Sequence, residues 1–372
     1  MGPRYLISAI LITLFVWGGL GLGMASVRLW GLIVPSVLLL WTFIRNKKSF
    51  ELPRGFSLFL IFLSLLVANI FWSLNQKSTL EYLILLLGGG AWWLLLFNLG
   101  ERVREDFANV IIVLGIVFGA SYLLDLFLYS ELPVRAWSLY LSSSAGRNHN
   151  HLGDLWAIVV VVLSHKLLTK PRWWHWALIV LGTFFLTISL SRSSYLALGV
   201  GIFYLFNKFQ GVKKFRKLYF LLLAVATGLF LYAGLFKSTF FARPYFEQAI
   251  WGFKKWPFGV GVGNFGTIST NAQGPWWIGP RTGIFSSYAH NVVIEMISGM
   301  GFLGLVFAVW LIYVLVDALK NSKETLFTAV FLAITANFMF DTTYYIPTML
   351  WLWFATLGLA GSKGQKDISN HS

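Results

Sequence analysis

The chain of 372 residues is too apolar for a soluble globular domain, because 57% of its residues are hydrophobic and only 12% are charged. It contains no cysteine, which excludes disulfide bonds, thiolate metal sites and cysteine nucleophiles. A formal net charge of +15 can indicate nucleic-acid binding. In a membrane protein, however, much of such charge reflects the sidedness of the loops, and we predict no nucleic-acid partner.

Apolar segments long enough to cross about 30 Å of hydrocarbon recur along the whole chain. The alternating pattern of a β-barrel is absent, so helices must satisfy the backbone in lipid. We predict an all-α polytopic membrane protein, with a single membrane domain over residues 1–372 and about twelve transmembrane helices. The predicted spans are residues 5–23, 27–44, 56–74, 80–99, 108–129, 151–168, 173–190, 194–209, 218–236, 291–316, 325–341 and 345–361. The first lacks a clear small-residue cleavage site and a second span follows at once, so we interpret it as a retained helix rather than a signal peptide.

The basic residues predict the orientation of these spans. The cluster KKFRK at residues 213–217 lies in a short loop, and an N-terminus inside the cell places most Lys and Arg residues on the cytoplasmic side, as the positive-inside rule requires. Both termini are then cytoplasmic. The basic residues left outside lie mainly before the sixth span, between spans seven and eight, and in residues 237–290.

Residues 237–290 form the longest interruption between apolar segments, between helices nine and ten. Their only acidic residue is Glu247, and they are too rich in Trp and Phe for a solvated linker. We predict a folded extramembrane cap over a site. Its basic residues are Lys237, Arg243, Lys254, Lys255 and Arg281.

The sixth span is preceded by SSSAGRNHNHLGDL, which brings Arg147, His149 and His151 close to Asp154. The two histidines and the aspartate are ligand types for zinc or manganese. Alternatively, Asn150 caps the helix, or the Asn and His side chains donate hydrogen bonds to a sugar or phosphate. We predict no metal site here and no cofactor.

The turn between spans seven and eight reads TISLSRSSYLALG and contains Arg192. An arginine near hydrocarbon costs roughly 2.5–3.5 kcal/mol on insertion scales and usually faces the protein interior. Arg192 either extends to the lipid headgroups or has a functional role. We favour function, because the surrounding serines make the turn polar and allow close approach to a ligand.

Two further motifs lie in the cap. GVGVGN at residues 259–264 lacks the βαβ context of a dinucleotide loop, so its glycines predict tight turns or close backbone contact. At the end of the cap, His290 and Asn291 precede the tenth span, with Glu295 about one turn inside it. A lone histidine in such a place is more often structural than catalytic.

Three of these segments together resemble the O-antigen ligase and polymerase superfamily. They are LSRSSY at the end of a span, ARPYFEQAIWGFKKWPFGVGVGNF in the cap, and AHNVVIEMISGMGFLGLV at the start of the tenth span. The resemblance covers about residues 180–310, while the flanking helices match only in number and hydrophobicity. It implies a multi-pass protein of the bacterial inner membrane with its active site facing the periplasm.

The resemblance implies transfer of a glycan from undecaprenyl diphosphate to a hydroxyl of lipid A-core, of another glycan repeat or of a protein. It implies that Arg192 and Arg243 bind the diphosphate and that His290 activates the acceptor. Because arginines can neutralise the leaving diphosphate, we expect metal-independent transfer, with inversion at the anomeric carbon in a single displacement. Additional candidates for substrate binding are Arg147, His149, His151, Lys254, Lys255, Arg281 and Asn291.

Within this superfamily, one sizeable outer loop favours a ligase over an O-antigen or exopolysaccharide polymerase, since polymerases often carry two. A protein O-oligosaccharyltransferase is a further alternative. A transporter of an anionic substrate is an alternative from another class. Twelve helices and a basic outer vestibule would suit it. Transport by alternating access favours two matched halves, and the sequence shows no symmetry between its halves.

Overall fold

The computed structural model describes residues 3–20, 23–45, 50–129, 149–189, 191–209, 245–272, 285–322 and 324–362. Over these ranges the chain is helical and contains no strand, which confirms the all-α class. The helices are α1 Pro3–Leu20, α2 Met24–Arg45, α3 Phe56–Asn69, α4 Gln76–Leu99, α5 Glu101–Tyr129, α6 His149–Thr169, α7 Trp173–Ser189, α8 Arg192–Lys208, α9 Tyr245–Lys255, α10 Phe265–Asn271, α11 Val292–Met300, α12 Leu305–Asn321, α13 Thr325–Phe338 and α14 Pro347–Gly361.

Within the described ranges the predicted spans overlap helices, the tenth overlapping both α11 and α12, and the ninth, residues 218–236, lies outside these ranges. Among the described residues, five helical segments are long and apolar enough to cross a membrane: Met24–Ile44, Gln76–Leu99, Val103–Leu124, Asn150–Thr169 and Val292–Asn321. Four shorter helices are also apolar: Ser8–Gly19, Phe56–Trp72, Trp173–Ser189 and Thr325–Phe338. These helices support a multi-pass helical membrane protein.

The chain divides into two compact units. Unit 1 comprises Met1–Phe56, Ile84–Leu205 and Tyr313–Ser372, and unit 2 comprises Ser57–Leu83 and Phe206–Ile312. Each has its own packed interior.

Unit 1 is built around α14, in which every residue from Pro347 to Ala360 is buried. A helix that is apolar on all sides must be surrounded by other helices. Its Trp351 ring lies 6.0 Å from Phe15 of α1, and a Cβ on Gly31 of α2 would overlap the same ring. Small residues on neighbouring helices therefore make room for the large rings of α14.

Unit 2 contains a loop, residues 257–264, whose three glycines all have positive φ. The values are 80° for Gly259, 94° for Gly261 and 83° for Gly263, a region that residues with a Cβ rarely adopt. A Cβ on Gly259 would also overlap the carbonyl of Gly299 in α11. Tight turns and close backbone contact, as predicted for GVGVGN, are both confirmed.

Hydrogen bonds hold this loop on two sides. Toward α11, the Gly261 N–H donates to the Gly299 carbonyl at 2.8 Å. Toward the α3–α4 connection, the Leu74 N–H donates to the Val260 carbonyl at 3.0 Å. Asn69 joins both sides, because its amide donates to the Gly299 carbonyl at 3.1 Å and its oxygen accepts from the backbone N–H of Val262 at 3.3 Å.

The predicted tenth span is interrupted. Helix α11 ends at Met300, a 3₁₀ turn runs from Gly301 to Gly304, and α12 continues from Leu305. Gly301 has φ +61°, and the carbonyl of Pro257 packs against it and accepts from the Phe302 N–H at 3.0 Å. The glycines of GMGFLG thus break the helix where the loop backbone approaches it.

We predict that Gly259→Ala destabilises the protein. A left-handed conformation costs an L-residue about 1–2 kcal/mol, and the added methyl group would also displace the Gly299 carbonyl. Gly266→Ala is the matched control, because Gly266 lies in α10 and an added Cβ would meet only ordinary contacts of 3.4 Å or more. Thermal unfolding of both purified variants measures the difference, and equal melting temperatures would contradict this account of the loop.

Candidate functional site

The structure describes the side chains of six predicted site residues, which are His151, Arg192, Lys254, Lys255, His290 and Asn291. For His149 it describes only the backbone, at the start of α6. Arg147, Arg243 and Arg281, together with Lys237, lie outside the described residues. Arg192 belongs to unit 1 and His290 to unit 2.

His290 is held in an unusual backbone conformation immediately before α11. With φ +53°, it is the one non-glycine residue with positive φ in the described part of the chain. Its ring stacks on Tyr245, with centroids 4.7 Å apart and planes inclined by 7°. Such a conformation costs free energy and persists only where the surroundings impose it.

Two side chains of the same segment impose it. The Ala289 N–H donates to Oε2 of the buried Glu295 at 2.8 Å. Asn291 caps α11, since its Oδ1 accepts from the N–H groups of Val293 at 2.9 Å and Ile294 at 3.0 Å. The backbone on both sides of His290 is thereby fixed.

The segment before His290 is fixed as well. The Ser286 N–H donates to Ser269 Oγ of α10 at 3.0 Å, and the Ser286 hydroxyl donates to the Tyr288 carbonyl at 2.7 Å. Ala289 joins a small core with Ala249, Val260, Phe265 and Ile268. His290 therefore lies next to a small hydrophobic core to which α9 and α10 contribute. The described parts of the predicted cap are folded.

The prediction for His290 was correct in its local features, since it precedes a helix whose first turn contains Glu295. The capping role of Asn291 was missed. An Asn directly before an apolar helical run is the sequence signal that indicates it.

Arg192 is the first residue of α8 and its side chain is exposed. Ser191 caps this helix, because its Oγ accepts from the Ser194 N–H at 3.3 Å and its carbonyl accepts from the Tyr195 N–H at 3.3 Å. The capping serine thus fixes the backbone from which the guanidinium extends.

The serines around Arg192 do not open the turn to a ligand, contrary to the sequence interpretation. Ser189, Ser191, Ser193 and Ser194 are all buried. The last three donate to Oδ1 of the fully buried Asp154 in α6, at 3.2 Å from Ser191, 3.1 Å from Ser193 and 2.6 Å from Ser194. A buried carboxylate needs such donors, so the serines are used inside the protein.

Asp341, between α13 and the 3₁₀ turn Thr343–Tyr345, extends this network. The Ser193 hydroxyl lies 3.1 Å from its Oδ2, and the Thr342 N–H donates to its Oδ1 at 2.5 Å. Asp341 was not predicted from the sequence. A carboxylate next to an apolar segment is the signal that could have indicated it.

The start of α6 also differs from expectation. Helix α6 begins at His149, so Asn150 lies in its first turn and does not precede it as a cap. The buried His151 ring packs edge-on against Tyr345 at 6.2 Å. Among the described side chains no group of three or more His, Cys, Asp or Glu residues could hold a metal ion.

Lys254 and Lys255 end α9 and are both exposed. The Lys255 ammonium lies 5.0 Å from the ring centroid of Trp251 and 4.7 Å from that of Trp256. Cation–π contact of this kind holds the ammonium beside aromatic surface.

No model of a known protein family matches the chain, and a search of curated proteins likewise gives no match.

We predict that Asp154 is a main anchor of the Arg192 turn. Asp154→Leu removes the acceptor of three hydroxyls and should lower the melting temperature strongly, because each buried donor left unpaired costs about 1–3 kcal/mol. Asp154→Asn, which keeps one oxygen acceptor, should cost less. The melting temperatures of the purified variants measure both effects.

Asp317→Asn is the control for loss of one negative charge in unit 1. Asp317 pairs with the exposed Arg54 at 3.3 Å, and such surface pairs contribute about 0–1 kcal/mol. Equal stability of Asp154→Leu and Asp317→Asn would show that the network contributes nothing.

Proposed function

We propose that the protein is a membrane-embedded glycosyltransferase of the O-antigen ligase type. It transfers a preassembled glycan from undecaprenyl diphosphate to an acceptor hydroxyl, with lipid A-core as the acceptor. The observation that carries the proposal is the left-handed His290, held by Glu295, Asn291 and Tyr245 at the start of α11. An imidazole whose backbone is fixed at this position of the AHNVVIEM segment is better suited to act as a general base than a histidine on the open surface.

In this proposal twelve helices cross the bacterial inner membrane, both termini are cytoplasmic, and residues 237–290 form the periplasmic cap. The distribution of Lys and Arg along the sequence supports this topology. A lipid-linked donor also gives a physical reason for a transferase to lie within the bilayer.

The reaction requires charge neutralisation on the leaving diphosphate. Arginine suits this task, because its planar fork forms paired, charge-assisted hydrogen bonds to phosphate oxygens and stays protonated. Arg192 and Arg243 take this role in the proposal. Preorganised donors aimed at developing charge are usually the largest catalytic contribution, so no divalent cation is needed to hold the diphosphate.

The reaction also requires removal of a proton from the acceptor hydroxyl. His290 takes this proton as the bond from the acceptor oxygen to the anomeric carbon forms and the bond from that carbon to the diphosphate oxygen breaks. Attack from the face opposite the leaving group inverts the anomeric carbon. General-base help of this kind contributes about 10²- to 10⁴-fold in rate.

The first test replaces Arg192 by Lys. A single ammonium keeps the charge but cannot reproduce the paired geometry of guanidinium, so transfer by the reconstituted protein should fall by about 10²- to 10³-fold. Arg54→Lys is the matched control, since Arg54 is exposed and pairs with Asp317, and it should retain transfer. A fully active Arg192→Lys variant would remove Arg192 from the proposed site.

The second test replaces His290 by Asn. Asparagine tolerates positive φ far better than alanine does, so the variant removes the imidazole without adding backbone strain. Transfer should fall by about 10²- to 10⁴-fold, while donor affinity and melting temperature remain near those of the parent protein. Radiolabelled transfer, donor binding and thermal unfolding are measured on one preparation.

The outcomes of the His290 test separate its possible roles. Loss of stability and donor binding together with activity would assign His290 a structural role, and transfer at the parent rate would exclude it as the base. His165→Asn makes the same chemical change in α6 and should keep activity. With lipid A-core and a lipid-linked glycan repeat both offered as acceptors, extension of the repeat alone would identify a polymerase.

A further inference from the structure

Unit 2 contains a groove of about 560 Å³ to which the proposed reaction assigns no step, although Lys255 in its wall is one of the additional candidates for substrate binding. Its apolar walls include Trp72, Trp256, Phe258 and Leu303, and Lys255 is the one charged side chain among the described residues that line it. A groove of this volume lies within the range of small-molecule sites. The lining indicates a ligand that is mainly apolar and carries negative charge.

The groove lies at the end of an apolar helical segment. Phe56–Trp72 is apolar and ends at Trp72, after which the chain continues with the polar residues Ser73, Asn75 and Gln76. Tryptophan is enriched where hydrocarbon meets the headgroups. The Trp72 Nε1–H donates to the Phe258 carbonyl at 2.9 Å, which fixes this indole as a wall of the groove.

Exposed aromatic side chains surround the same place. Phe258 in the groove wall is 62% exposed, and Phe71, next to Trp72 in the chain, is 80% exposed. Phe302, next to Leu303, is 54% exposed and packs edge-on against Phe253, with ring centroids 4.6 Å apart. Exposed apolar side chains in the groove wall and next to its lining residues indicate contact with a membrane or a partner.

Lys255 supplies the charge complementarity. Its ammonium lies beside the Trp251 and Trp256 rings, so the aliphatic stem can run along aromatic surface while the charged group faces the headgroup region. A phosphate ester can accept from an ammonium that keeps its cation–π contacts, because the ammonium has three N–H donors.

We propose that this groove binds an anionic phospholipid of the bilayer. The phosphate pairs with the Lys255 ammonium, and an acyl chain lies against Trp72, Phe258 and Leu303. One cation matches the single phosphodiester of such a lipid, whereas a diphosphate would require more donors. The site does not depend on the transferase reaction.

The test measures lipid binding to the full-length protein in detergent by native mass spectrometry. Phosphatidylglycerol and phosphatidylcholine with identical acyl chains are titrated in parallel. The first phosphatidylglycerol should bind at least about fivefold more tightly than the first phosphatidylcholine, since a basic residue near the headgroup contributes about 1 kcal/mol toward an anionic lipid. Equal affinities would overturn the proposal.

Variants of the neighbouring lysines identify the cation. Lys255→Gln should remove the preference for phosphatidylglycerol, and Lys255→Arg should keep it. Lys254→Gln removes the same charge from the next residue, which does not line the groove, and should also keep the preference. Equal losses in Lys254→Gln and Lys255→Gln would assign the preference to diffuse attraction and overturn the site.

Two competing ligands distinguish the source of the phosphate. Inorganic phosphate at millimolar concentration should not displace phosphatidylglycerol, because the apolar walls contribute nothing to its binding. Undecaprenyl diphosphate should displace it no better than another anionic lipid. Displacement by inorganic phosphate would show a free-anion site, and preferential displacement by undecaprenyl diphosphate would assign the groove to the glycan donor; either result overturns the phospholipid assignment.

Discussion

The hydrogen bonds of the loop 257–264 determine the local structure on which His290 depends. Peptide groups buried against a helix must find partners inside the protein, because an unpaired buried N–H or C=O group costs free energy. Here the carbonyls of Ser298 and Gly299 in α11 accept from the N–H groups of Val260 and Gly261. His290 directly precedes Asn291, the N-capping residue of α11. The loop that packs on α11 therefore also fixes the helix next to which His290 lies.

Much of the fold was predictable from the sequence, because hydrophobic length identifies helices directly. The predicted spans 80–99 and 151–168 agree within a few residues with the helices Gln76–Leu99 and His149–Thr169. The glycines of GVGVGN were also informative, since the absence of a βαβ unit left only turns and close contact as explanations. A break inside an apolar run is harder to predict, because Gly301 interrupts the helix through a contact with Pro257, distant in sequence.

The sequence indicated which residues belong to the candidate site, but not the contacts that position them. Motifs indicated Arg192 and His290, but no periodic pattern connects Asp154 with Ser193 and Asp341, which lie far apart in the chain and meet only after folding. The serines illustrate the difficulty, since a hydroxyl that binds a substrate and one that satisfies a buried carboxylate look identical in sequence. The positive φ of His290 was equally hidden, because histidine has no strong preference for that conformation.

The two proposed phosphate sites use different cations, arginine for the diphosphate and lysine for the phospholipid, because the two ligands require different numbers of hydrogen-bond donors. A diphosphate in a transfer reaction gains charge as it leaves, so planar, paired donors at fixed geometry are favoured there. A bilayer phospholipid is bound without chemical change, and a flexible ammonium beside aromatic rings suffices. Trp72 connects this surface to the loop, because the indole that lines the groove also donates to the Phe258 carbonyl. Trp72 in the wall of the proposed lipid groove therefore also holds the loop that packs against α11.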